Sequence, residues 1–147
     1  MAMKPNNLIR KIKIFIWKLS RSRDSSQEIS IGAALGTFIS VFPTFGFGTL
    51  LVLLLSRFLK FNLVIALATS IISNPFTSPF FLLLSYKVGV LITGNTIKFE
   101  LENWFKTLQE TGATILIGSS LVSSIMGGAA YFITLFIVTK YRQRKRN

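Results

Sequence analysis

Apolar residues fill three long stretches of the chain, and short polar or charged segments separate them. Residues 29–56, 61–86 and 111–139 contain no charged side chain. A helix needs about 20 apolar residues to cross a bilayer, and each stretch is longer than that. The pattern therefore predicts an all-α membrane protein with a single membrane domain over residues 29–139.

Proline interrupts the first two apolar segments. Pro43 lies at the centre of residues 29–56, and Pro75 and Pro79 divide residues 61–94. A proline inside a helix removes a backbone hydrogen bond and collides with the preceding turn. Because hydrocarbon offers no water to the freed backbone groups, each break must be shielded by protein or line a polar cavity. We predict two broken membrane segments, each re-entrant or kinked.

The two broken segments resemble each other in sequence. Residues 34–43 align with residues 66–75 at an offset of 32, and Ala, Leu, Thr, Ile and Pro match in place. The alignment indicates an internal duplication. Paired broken segments in transporters place a binding site between the breaks, near the bilayer midplane. The candidate site therefore lies where the two breaks meet.

Polar residues near the breaks are the candidates for ligand binding. Helices that begin near Phe47 and Pro79 would direct unpaired N–H groups and positive dipole ends toward the bilayer centre, where they favour anions. The candidate ligand-binding residues are Asn74, Thr77, Ser78, Lys87, Thr44 and Gly46. Two alternatives stay open. These side chains would equally serve to cap the broken backbone, and Lys87 would equally snorkel to the headgroups.

The chain beyond the second broken segment predicts one further crossing. Residues 98–110 contain three of the five acidic residues and predict an interfacial helix on the far side of the membrane, and residues 112–139 predict a transmembrane helix. Small residues on that helix indicate close helix packing or a homo-oligomeric contact. They are Gly112, Gly118, Ser119, Ser120, Ser123, Ser124, Gly127 and Gly128.

Basic residues concentrate at the two ends of the chain. Seven of the 17 precede Asp24, within the segment 1–28, and five lie in residues 140–147. Between residues 6 and 20 they alternate with apolar residues at helical spacing, which predicts a basic amphipathic helix that lies in the interface or docks on the rest of the protein.

The same charges predict topology and partners. They flank apolar segments, which is typical of cytoplasmic ends that contact anionic headgroups, and not of a nucleic-acid-reading face. The positive-inside rule places both termini and the connection 57–60 in the cytoplasm. The simplest topology then makes residues 29–56 a re-entrant hairpin, residues 61–94 a broken crossing and residues 112–139 the return helix.

The composition argues against an enzyme. Cysteine and histidine are absent, and the three apolar stretches hold no acidic residue. Thiolate chemistry, the usual metal ligands and an intramembrane carboxylate relay are therefore lacking. We predict no catalytic residues, no metal site and no cofactor.

Several short motifs resemble one bacterial family. They are Gly36-x-Phe38, Pro43-x-x-Gly46, Leu59-x-x-Asn62, Ser73-Asn74-Pro75-x-Thr77 and Tyr86-Lys87-Val88-Gly89. The chain from about residue 30 to residue 139 resembles the inner-membrane family called domain of unknown function 2062. The resemblance implies a small multi-pass protein of the bacterial inner membrane, and some members resemble parts of glycan or lipid biosynthesis systems. One departure is Phe47, where the family often has glutamine.

Three functions follow as hypotheses. The first is the binding or passage of a small solute or an anionic lipid headgroup at the paired breaks. The second is a non-transporting membrane scaffold or a partner of cell-envelope lipid or glycan enzymes. The third is membrane remodelling by residues 1–23.

Overall fold

A computed structural model of the chain describes residues 24–44, 46–71, 77–94 and 104–144, with the backbone only for residues 104–110. These residues form helices and contain no β-strand. The helices are α1 (Ser26–Val41), α2 (Gly48–Leu55), α3 (Leu63–Ser70), α4 (Ser78–Thr93) and α5 (Trp104–Gln143). The all-α class is confirmed, whereas the predicted amphipathic helix over residues 6–20 lies outside the described residues.

Helices α1 and α3 run parallel and pack closely through two glycines of α1. A Cβ atom placed on Gly32 would lie 2.5 Å from the carbonyl oxygen of Asn62, and one placed on Gly36 would collide with the carbonyl of Ala66. Both contacts advance by four residues along each helix, so the two helices point in the same direction. Glycines four residues apart allow helix backbones to approach closely.

Helix α5 packs against both α1 and α4. Its 40 residues correspond to a length of about 60 Å. Gly118 contacts the carbonyl of Ser85, and Gly89 contacts the carbonyl of Thr114. Because the residue number rises along α4 as it falls along α5, the two helices are antiparallel. Gly118, Ser119 and Ser123 are buried, so part of the predicted small-residue face is used for packing within the chain.

The first broken segment forms a helical hairpin. Helix α1 leads to a turn, α2 returns from it, and the backbone N–H of Asn62 then donates to the carbonyl of Glu28 at 2.9 Å. The chain thus comes back to the beginning of α1 before α3 starts. Because α3 runs parallel to α1, it carries the chain away from this end once more, and α4 follows after the second break.

The order of helix lengths is reversed between the two broken segments, whereas a direct duplication would repeat it. The first has helices of 16 and 8 residues, and the second has helices of 8 and 16 residues. The predicted duplication therefore finds no support in helix length and remains a sequence-based prediction.

The end of the chain forms one helix where the sequence predicted two. The structure does not confirm a separate interfacial helix over residues 98–110, because α5 is continuous from Trp104 through the predicted span 112–139. No proline interrupts this stretch, and Gly112, at the predicted boundary, costs a helix only about 1 kcal/mol relative to alanine. The part Thr111–Gln143 is long and apolar enough to cross a membrane, by length and composition.

Candidate functional site

The turn between α1 and α2 depends on backbone hydrogen bonds and one glycine. The Thr44 N–H donates to the Phe42 carbonyl at 2.8 Å, and the Phe47 N–H donates to the Thr44 carbonyl at 2.9 Å. Gly46 has φ +91°, a conformation that side chains with a Cβ rarely adopt. Pro43 and Gly46 together therefore end α1 and turn the chain into α2, which begins at Gly48.

The second break lies between α3 and α4. Helix α3 ends at Ser70, and α4 begins at Ser78 with Pro79 in its first turn, where a missing N–H costs no helical hydrogen bond. Asn74 and Pro75, the other predicted residues of this break, lie outside the described residues. The two predicted helix starts, near Phe47 and near Pro79, are thus found at Gly48 and Ser78.

One cavity joins the two breaks. Its volume is about 370 Å³. The first break and the helix ends beside it contribute Ile39, Ser40, Val41, Phe42, Pro43, Thr44, Gly46, Gly48 and Thr49, and the second segment contributes Ser70, Ser78, Phe81 and Leu82. Residues 21 to 43 positions apart in sequence therefore face one space.

The cavity has a mixed polar and apolar lining, and its described lining residues carry no formal charge. Hydroxyl-bearing residues line it from both segments, including Thr44, Thr49, Ser70 and Ser78, and no charged side chain is among its described lining residues. The first turns of α2 and α4 both open onto it, and neither helix has a side-chain cap hydrogen bond at its N-cap residue. Helix amino ends carry partial positive charge.

Helix α1 contacts the central part of α5 shortly before the first break. Gly127 of α5 faces the carbonyl of Ala34 and the backbone of Phe38, and α1 ends three residues after Phe38. The second half of α1 is therefore level with the middle of Thr111–Gln143, the helix segment long enough to cross a membrane.

Lys87 and Thr77, two of the predicted site residues, do not line the cavity. Lys87 is exposed and lies nine residues after Ser78, which is two and a half helical turns and places it on the opposite face of α4. Thr77 is the N-cap residue of α4. Thr44, Gly46, Pro43 and Ser78 are the predicted residues that the structure brings together.

A second polar cluster was not predicted from the sequence. The Asn62 side chain donates to the Asp24 carboxylate at 2.5 Å, and Arg142 Nη2 donates to the Asp24 carbonyl at 2.6 Å. Asn62 also caps α3 by accepting from the Ile65 N–H at 2.8 Å. An asparagine directly before an apolar run is a recognisable N-cap signal, but its partners at positions 24 and 142 are not visible in sequence.

Comparison with known proteins places the chain by family. No curated protein and no solved structure matches it. A model of one bacterial family matches residues 9–147, which includes every motif on which the resemblance was based. The chain belongs to this family, described as "uncharacterized protein conserved in bacteria (DUF2062)".

Proposed function

We propose that this protein is a multi-pass, non-catalytic protein of the bacterial inner membrane that binds, and passes, a small anionic solute or an anionic lipid headgroup. The observation that carries the proposal is the cavity into which both breaks open, with the amino ends of α2 and α4 at its wall. Such convergence of broken helices is typical of binding sites in membrane transporters.

Surface composition supports a membrane environment. Large apolar side chains are exposed on α2, α3, α4 and α5, among them Leu50, Val64, Leu91 and Phe132, which are 61 to 84% exposed. Soluble monomers rarely expose contiguous apolar surface on this scale. The buried apolar clusters are small by comparison, and the exposed faces would be covered by lipid chains.

The ends of the helices support a topology with three basic segments on one side. Asp24, Asn62 and Arg142 are in contact, so the beginning of α1, the connection 57–60 and the end of α5 meet at one end of the structure. By the positive-inside rule, that end is cytoplasmic. In the proposed topology, α1 and α2 form a re-entrant hairpin, α3 and α4 form a broken crossing, and α5 returns.

The size of the cavity limits the ligand. Ligand pockets usually measure about 300–1,000 Å³, and about 370 Å³ is near the lower limit. A small anion or a headgroup fits this volume, whereas a whole phospholipid does not. Each helix amino end contributes about 0.3–1 kcal/mol toward an anion. Two such ends, without a charged side chain, stabilise a bound anion only weakly. Weak binding allows the anion to be released, as passage through the membrane requires.

A non-transporting scaffold is the alternative function. For a scaffold we expect the two breaks to be packed against each other, with their polar groups bonded to backbone only. The open space between Thr44 and Ser78 favours binding over this alternative. The function of a scaffold that partners cell-envelope enzymes would also be unchanged by a bulky residue inside the cavity.

Reconstitution into vesicles tests the proposal with a matched pair of variants. Thr49→Trp places a large ring at a residue that lines the cavity, and Leu50→Trp places the same ring at the next position, which is 61% exposed and does not line it. Flux of phosphate and other small anions, and scrambling of a fluorescent anionic lipid, are measured against empty vesicles. We expect activity in the wild type and Leu50→Trp, and a loss of at least tenfold in Thr49→Trp.

Two results would contradict the proposal. Wild-type rates equal to those of empty vesicles for every probe would leave the scaffold as the better description. Equal rates for Thr49→Trp and Leu50→Trp would show that any passage avoids the cavity.

A further inference from the structure

A second concave surface lies on the last three turns of α5, away from the breaks. It is a shallow, open groove of about 730 Å³, and its lining residues within the described part of the chain are Phe132, Leu135, Phe136, Thr139, Lys140 and Gln143. These residues follow one face of the helix at intervals of three and four. The rings of Phe132 and Phe136 are 70% and 67% exposed, so the groove is apolar along most of its length.

Charge is confined to one end of this groove. Lys140 Nζ lies 5.3 Å from the centroid of the Phe136 ring, which holds the ammonium group at the boundary between the apolar and polar parts. Thr139 and Gln143 add hydrogen-bond donors beside it. The groove therefore combines an apolar surface with a cationic, hydrogen-bonding end.

The length of the groove matches one leaflet of a bilayer. From Phe132 to Gln143 the helix rises by about 16 Å, close to half of the roughly 30 Å hydrocarbon core. We propose that this groove is a binding site for one anionic phospholipid of the cytoplasmic leaflet. Its acyl chain lies along Phe132 and Phe136, and its phosphate group contacts Lys140.

The chemistry of the groove favours this lipid over other occupants. Residues 1–23 precede Asp24, which contacts Arg142, but they carry seven basic residues, which the cationic end of the groove would repel. A second copy of the chain would bring its own Lys140 or basic tail to an already cationic end. An anionic headgroup neutralises Lys140, and its acyl chain covers the two phenylalanine rings.

The lack of cysteine in the chain allows a clean labelling experiment. Ile133→Cys carries a fluorophore beside the groove without replacing a lining residue, and Leu91→Cys carries the same fluorophore on α4, where the side chain is 84% exposed. The full-length protein is reconstituted with phosphatidylcholine or phosphatidylglycerol that has brominated acyl chains. Bromine quenches the fluorophore when the lipid binds nearby.

At the label on Ile133→Cys, we expect quenching to show that phosphatidylglycerol binds about fivefold more tightly than phosphatidylcholine. This factor corresponds to one lysine contact with an anionic headgroup. At Leu91→Cys the two lipids should quench equally. Lys140→Gln should abolish the preference. Arg144→Gln, which removes a nearby charge that does not line the groove, should leave it within twofold.

Other results would overturn the inference. Equal quenching by both lipids at Ile133→Cys, or equal effects of Lys140→Gln and Arg144→Gln, would mean a general surface attraction without a site. Quenching at Leu91→Cys but none at Ile133→Cys would mean that residues 1–23 or a second copy covers the groove. The inference rests on the membrane placement of α5 in the proposed function. Failure of that placement is distinguishable, because neither label would then be quenched by either lipid.

Discussion

Asn62 and Asp24 are joined by a side-chain hydrogen bond of 2.5 Å, from the Asn62 amide nitrogen to the Asp24 carboxylate. Asn62 is buried, and its amide oxygen accepts from the backbone N–H of Ile65 in the first turn of α3. The carbonyl of Asp24 accepts from Arg142 at the end of α5. One asparagine thus links the start of α3 to the start of α1 and, through Asp24, to the end of α5.

Replacement of Asn62 should destabilise this junction. Asn62→Ala removes the cap of α3, worth about 1 kcal/mol, and deprives the partly buried Asp24 carboxylate of its hydrogen bond from Asn62, at about 1–3 kcal/mol. We expect the free energy of unfolding to fall by about 2–4 kcal/mol in total. Denaturant unfolding in detergent micelles, followed by circular dichroism, measures the change.

An exchange of the two side chains provides the control. Asn62→Asp keeps an acceptor that can cap α3 but places a second carboxylate against Asp24. The double variant with Asp24→Asn restores one amide and one carboxylate at the contact. We expect the double variant to recover most of the stability that Asn62→Asp loses. Equal instability of the single and double variants would contradict a direct interaction between these side chains.

Close backbone contact between α4 and α5 gives a second prediction. A Cβ atom on Gly118 would collide with the carbonyl of Ser85, whereas one on Gly128 would meet no atom within 4 Å. Gly118→Ala should lower the unfolding free energy by about 1–3 kcal/mol through overpacking. Gly128→Ala should be neutral, or stabilising by up to about 1 kcal/mol from helix propensity. Thermal unfolding of both variants in the same micelles tests the contrast, and equal effects would refute the predicted contact.

The capping box of α1 gives a prediction about pH. The backbone N–H of Ser25 donates to the Glu28 carboxylate at 2.6 Å, and the Ser25 hydroxyl accepts from the Glu28 N–H at 3.1 Å. Hydrogen bonds from the Ser25 backbone and then from its side chain lower the pKa of Glu28 below its usual value of 4.5. A depressed pKa in the folded state means that this stabilisation is present above pH 4.5 and is lost as the pH falls through the folded-state pKa.

Glu28→Gln isolates this contribution. Its unfolding midpoint should lie below that of the wild type near neutral pH, and the difference should shrink as the pH falls below 4.5. Because Glu28 is accessible to solvent, the difference should be small and should decrease with added salt. A difference in unfolding midpoint between Glu28→Gln and the wild type that stays constant from pH 7 to pH 3 would contradict a stabilising role of the Glu28 carboxylate.

Local backbone chemistry made the breaks predictable from sequence. Pro79 fits the first turn of a helix, and α4 begins one residue before it. Pro43 and Gly46 predicted the first turn, because proline ends a helix and glycine tolerates positive φ. The prediction that the two breaks meet rested on their similar surroundings in sequence, a similarity that the helix lengths do not reproduce.

Contacts between distant residues were not predictable in the same way. Asp24 lies 38 residues from Asn62 and 118 residues from Arg142, and no periodic pattern connects them. The continuity of α5 depends on packing against α4 as well as on its own composition. Lys87 is close to the break in sequence, but helical phase puts it on the other face of α4.

The contact between Arg142 and Asp24 also predicts the topology of the chain in the membrane. Two residues joined by a hydrogen bond of 2.6 Å cannot lie on opposite sides of a bilayer, so Asp24 and Arg142 share one side in the proposed topology. The positive-inside rule predicts that this side is cytoplasmic. Green fluorescent protein fused after residue 147 should therefore fluoresce. Alkaline phosphatase, which is active only outside the cytoplasm, should be active when fused after Gly94, at the end of α4. Phosphatase activity at the carboxyl terminus, or none after Gly94, would rule out the arrangement in which α3 and α4 cross together and α5 returns.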